Sequence, residues 1–166
     1  MSETRIEDPE FGTLARRSGD WEGAVALPLP GGESVALSAE MESIGGFSDA
    51  QREAARYAIG LTSEAQGRLA ETLHADYLMT LDAVGPDDLP PIDAPAEVWA
   101  HVAPIKLSIP DHETLQHRYF VLQFEVAWET EGGAEVLFRD GEPVEVDIIG
   151  STRSPGSYDG DDDNGE

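Results

Sequence analysis

The chain has 166 residues, with 34 Asp and Glu against 10 Lys and Arg, a formal net charge of −24 and no cysteine. Without cysteine, disulfides, thiolate nucleophiles and thiolate zinc sites are excluded, and so negative a body repels nucleic acid and attracts basic surfaces. No apolar run approaches the roughly 18 residues that span a bilayer, and the polar, acidic start Met1 to Asp8 is unlike a secretion signal, so the expectation is a soluble, cytoplasmic, single-domain protein.

Residues 1–10 read as a flexible N-terminus and residues 11–150 as one domain. Its first part carries short β-type runs at Phe11–Leu14, Trp21–Leu29 and Glu33–Met41, with Pro30-Gly31-Gly32 as a hairpin turn between the last two. A helical part follows. Ser48 or Asp49 caps a helix in which Ala54, Ala55, Ala58 and Ile59 recur at helical spacing and Gly60 ends or bends the chain. Thr62 or Ser63 caps a second helix running to about Leu81, where Leu69, Leu73, Tyr77 and Leu81 form one stripe.

The Pro- and Asp-rich segment Asp82–Pro95 reads as a long surface connection, followed by a short helix at Ala96–His101. Strands return at Ile105–Ile109, Arg118–Trp128, Ala134–Arg139 and Pro143–Ile149, with Glu129–Gly133 as one turn and Asp140-Gly141 as a hairpin turn. In the longest of them Phe120, Leu122, Phe124, Val126 and Trp128 share one face, which is expected to pack on Leu69, Leu73 and Tyr77. From Ser151 to Glu166 hydrophobicity is lost, and the acidic tail reads as disordered. The fold class expected is α+β: an antiparallel sheet with two consecutive helices packed on it.

The run Glu97 to Pro104, the aromatic strand Tyr119–Trp128, and Trp128 to Gly141 together resemble a family of small uncharacterised bacterial domains, several members of which are similar to immunity proteins of toxin–immunity systems. The pattern there is an aromatic strand ending in Trp-Asp-x-Glu-His-Gly, then a strand ending in Phe-x-x-Gly. Trp128, Glu131, Gly133, Phe138 and Gly141 match it, whereas Glu129 replaces the Asp and Gly132 the His. Phe11-Gly12-Thr13-Leu14 and Trp21-Glu22-Gly23 resemble the opening of such domains, so the likeness covers Phe11 to Gly150.

Motifs for chemistry are sparse. His112 and His117 are five apart, which suits neither a helix nor a strand face as a metal pair. His74 with Asp76, or His101 near Glu97, offers a general-base pair only beside a nucleophile. The tail acids Asp159, Asp161 and Asp163 alternate like a calcium loop but lack its distal Glu. The expected function is therefore non-catalytic and of the immunity type: neutralisation of a cognate toxin domain, or another basic protein, through Glu129, Glu131, Glu135 and Asp140, with no cofactor, metal, nucleic acid or membrane partner. The alternatives are a metal-dependent hydrolase using clustered carboxylates and a nucleic-acid mimic that occupies a DNA-binding protein.

Overall fold

A computed structural model describes residues 5–17, 19–42 and 46–149, without the side chains of residues 130–132 and 148. The tail from Ser151 lies outside the described residues, so its expected disorder is left aside. Eight strands form one sheet in chain order: β1 Arg5–Asp8, β2 Gly12–Arg17, β3 Asp20–Val25, β4 Val35–Glu40, β5 Val102–Ile109, β6 Tyr119–Val126, β7 Glu129–Arg139 and β8 Glu142–Ile148. The helices α1 Asp49–Ile59 and α2 Ser63–Val84 lie between β4 and β5, with 3-10 helices at Pro86–Asp88 and Pro95–Ala100.

The α+β class holds, with two corrections. The sheet is mostly antiparallel, because β4 and β5 pair in parallel, Ala36 opposite Lys106 and Ala39 opposite Ile109. A parallel neighbour cannot be reached by a tight turn, and the two helices supply the crossover. Arg5–Asp8, expected within a flexible terminus, is instead an edge strand paired antiparallel with β2. It is held there because Arg52 on α1 grips Asp8 through two guanidinium nitrogens at 3.0 and 2.6 Å, and Arg52 and Arg56 share Glu10. Those arginines hold both carboxyls down, to about 2.

Local chemistry explains both helix starts. Ser48 caps α1 in a reciprocal box with Gln51, and Thr62 caps α2 by accepting from Ala65 N. Gln51 has a second role. Fully buried, its Nε2 donates to the carbonyls of Glu40 and Pro110, at the carboxyl ends of the parallel pair β4 and β5. Ala54, Ala55 and Ala58, all fully buried, let α1 sit close to β5 and β6.

The expected core face is present: Phe120, Leu122, Phe124, Val126 and Trp128 share one cluster with Leu69, Leu73 and Tyr77. The turns differ in detail. The β3–β4 hairpin exists, but β3 ends at Val25 and the loop is longer, closed by Leu27 N to Gly32 O at 2.7 Å. Residues 129–133, expected as a turn, belong to β7: Val126 pairs with Glu129, which leaves Ala127 and Trp128 as the turn. Gly133, at φ +69, lets this strand bulge, since a Cβ there would meet the Phe124 carbonyl oxygen at 2.5 Å. Asp140 (φ +52) and Gly141 (φ +88) form the expected two-residue hairpin turn, the conformation that Asp-Gly favours.

His112 is buried between two strands' ends. Its Nδ1 donates to the Pro110 carbonyl at 2.9 Å while its Nε2 accepts from Tyr119 N at 2.8 Å, which fixes a neutral ring. Burial pushes its pKa below the ordinary 6.5. The unfolded chain therefore takes up a proton that the folded one refuses, so this contribution to stability is full above pH 6.5 and is lost as pH falls below it.

Two predictions follow from this packing. Gln51→Leu, which keeps the volume but strands the two strand-end carbonyls, should cost about 1–3 kcal/mol in urea unfolding. In the same assay the stability of the native chain should drop from about pH 7.5 to about pH 5.5, and His112→Asn should flatten that slope.

Candidate functional site

Three of the four acids expected to form one docking surface lie in different settings. Glu129 is half-buried at the start of β7, Glu135 is buried and accepts from Gln123 Nε2 at 3.4 Å, and Asp140 sits at the far end of the strand. Asp140 is already engaged there, accepting from Arg118 N at 2.9 Å and pairing with His117 Nδ1 at 2.8 Å. The Glu131 side chain lies outside the described residues. The spacing of these acids along one strand concealed how far apart 11 extended residues hold them.

The histidine pairs dissolve in the same way. His74 Nε2 donates to the Ile92 carbonyl at 3.0 Å, whereas Asp76 Oδ2 accepts from Trp128 Nε1 at 2.8 Å, so the two point to different partners. Glu97 accepts from the backbone N–H of Asp93 at 2.9 Å. Trp128 is buried as a core residue, edge-on to Tyr77 at 5.6 Å.

What the fold does assemble is a groove along the outer side of α2. His74, Tyr77, Leu78 and Leu81 recur at helical spacing and form one wall; Pro86, Leu89, Pro91, Ile92 and Asp93 of the following connection form the other, around a volume of about 580 Å³. The connection is pinned by one side chain: the Tyr77 hydroxyl donates to the Pro90 carbonyl at 2.6 Å and accepts from Ile92 N at 3.3 Å. On α2 Leu78, Met79 and Val84 are 46 %, 74 % and 55 % exposed. The three point in different directions round the helix, and Leu78 is the one that lines the groove.

The segment that builds the groove carries acids and no Lys or Arg. From Leu69 to Ile105 there are seven acids, Glu71, Asp76, Asp82, Asp87, Asp88, Asp93 and Glu97, and no Lys or Arg. The arginines bind acids elsewhere: Arg17 pairs with Glu22, Arg52 with Asp8, Arg56 with Glu10, Arg68 with Glu142 and Arg118 with Glu53. The composition alone announced an acidic protein; the cation-free run was readable too, but its neighbourhood with an apolar groove was not.

A carboxylate cluster and a shallow hollow lie elsewhere on the sheet and its loops. Ligand oxygens of Glu42, Asp111 and Glu113 all lie within 4.8 Å of one another, although Glu42 also accepts from His112 N and Asp111 from Glu113 N. On the face of the sheet away from the helices, Asp20, Ser38, Glu40, Lys106 and Ser108 line a hollow of about 300 Å³.

This is an α+β domain with a groove on α2 that is mostly apolar inside and has Asp93 in its lining. A family profile matches residues 10–150, and the chain belongs to that family, described as Domain of unknown function (DUF6985). Comparison with curated proteins and with solved structures returns no match. No helix among the described residues is long and apolar enough to cross a membrane.

Asp76, on the side of α2 that meets Trp128, is a half-buried acid. Burial pushes its carboxyl up, the Trp128 bond opposes this, and Asp147 and Glu129 add repulsion. Asp76→Asn keeps an acceptor for Trp128 and removes the charge, so it should leave stability at neutral pH unchanged or raised by up to about 1 kcal/mol. Asp76→Ala leaves the indole N–H unpaired and should cost about 1–3 kcal/mol; thermal unfolding of the two variants separates the cases.

Proposed function

We propose that this domain is a non-catalytic protein-binding module of the immunity type, which captures a cationic protein such as a toxin domain and covers its working surface. The observation that carries the reading is the segregation of charge. With ten cations for 34 acids, arginines on α1, α2 and before β6 pair with nearby acids, while the segment from Leu69 to Ile105 holds seven acids, Asp76 half-buried among them, and no Lys or Arg. A field of one sign, next to exposed apolar side chains, suits a partner that arrives by charge and stays by burial. The working compartment in this reading is the cytoplasm.

A second reading, a hydrolase using a divalent metal, draws on the Glu42, Asp111 and Glu113 cluster. It ranks lower because two of its three carboxylates already accept backbone hydrogen bonds. The nucleic-acid mimic is a special case of cationic capture, with a DNA-binding protein as the captured partner.

The test is kinetic. The immobilised domain should retain a basic protein domain from its own cell, and the association rate should fall steeply as ionic strength rises from about 0.01 M to about 0.15 M, where the Debye length shrinks from about 30 Å to about 8 Å. Replacing Asp82, Asp87, Asp88 and Asp93 together by Asn should slow association about tenfold or more and change dissociation little. Capture indifferent to salt overturns the reading, and turnover of a substrate that a chelator abolishes moves the function to the Glu42 cluster.

A further inference from the structure

Resting on that reading, we infer that the groove between α2 and residues 85–93 takes a cationic amphipathic helix of the partner, its apolar ridge on Leu78 and Leu81 and its basic residues against Asp82, Asp87, Asp88 and Asp93. Three features of the groove select this occupant over an extended strand or a small ligand.

The first is the absence of backbone for a strand to pair with. One wall is helix, whose N–H and C=O groups are bonded within α2. The other is built on Pro86, Pro90, Pro91 and Pro95, which have no N–H. Its carbonyls at Pro90 and Ile92 and the N–H of Ile92 are already taken by Tyr77 and His74. An occupant is therefore held by side chains alone, as when a helix lies in an apolar groove.

The second is the apolar surface left uncovered. Leu78 and Leu81 lie three residues apart on one side of α2, with Leu89 and Ile92 opposite them, and Leu78 is exposed. Such a track along a helix matches the ridge of another helix better than it encloses a compact molecule. The Tyr77 anchor, braced by Trp128 and stacked with His74 at 5.9 Å, holds the walls apart beforehand, which lowers the ordering cost of binding.

The third is charge at the helix end. The last turn of α2 holds no basic residue, so the negative end of its dipole adds to Asp82, Asp87 and Asp88 and not to a compensating cation. Lys or Arg residues flanking the ridge of the incoming helix satisfy both.

The experiment uses the full chain and a labelled peptide of about 18 residues, long enough to hold a helix, with Leu and Lys placed at helical spacing. A second peptide of the same composition in scrambled order has the charge but no ridge. Fluorescence anisotropy at low salt should show the striped peptide binding about tenfold or more tighter than the scrambled one. Leu78→Asp should weaken the striped peptide about tenfold or more, since the transfer of one leucine side chain from water is worth about a decade of affinity. Met79→Asp, on the other side of α2, adds the same charge outside the groove and should leave the affinity of the striped peptide within about twofold. Equal, salt-sensitive binding of both peptides that ignores Leu78→Asp, or equal weakening by Leu78→Asp and Met79→Asp, overturns the groove and leaves acidic capture standing. Binding of neither peptide at low salt overturns both.

Discussion

The architecture depends on one parallel pairing. β4 and β5 lie side by side in the same direction at the middle of the sheet, and everything between them must leave the sheet and return at its other end. That is why α1 and α2 are consecutive and why both cover the second half of the sheet. Gln51 is the fastening: one buried amide closes the capping box of α1 and bonds the carbonyls just where the two parallel strands end. A helix start, a strand junction and the crossover are thereby set by a single side chain.

The crossover also decides where charge accumulates. α1 and the start of α2 lie near strand ends and turns, where their arginines meet Asp8, Glu10 and Glu142, and Glu53 of α1 meets Arg118. From Leu69 onward α2 and the proline-rich connection carry acids and no Lys or Arg. Net charge belongs to the whole chain, but a field strong enough to steer a partner arises where compensation is locally absent.

Buried polar groups are few and each has a defined partner. Among the described residues no buried side-chain nitrogen or oxygen is without a hydrogen bond. His112 is neutral by virtue of a carbonyl on one nitrogen and an N–H on the other, and Asp76 is tolerated because Trp128 donates to it. These groups fix registers and rotamers.

Much of this was legible in the chain itself. The spacing of Ala54, Ala55 and Ala58, of Leu69, Leu73 and Tyr77, and of Phe120 to Trp128 marks which faces are buried, because burial follows the helical and strand periods. Asp140-Gly141 marks its hairpin, because few other pairs adopt two positive φ angles. The sequence alone did not determine pairing partners distant along the chain. That β1 is held by Arg52, 44 residues away from Asp8, that β4 meets β5 in parallel, and that Tyr77 draws the 85–93 connection into a groove are outcomes of tertiary contact. Local propensity carries no information about which end of the chain a guanidinium or a phenol will reach. For the same reason Glu129, Glu135 and Asp140, near one another in sequence, became three separate environments, while Leu78 and Asp93 came to share one.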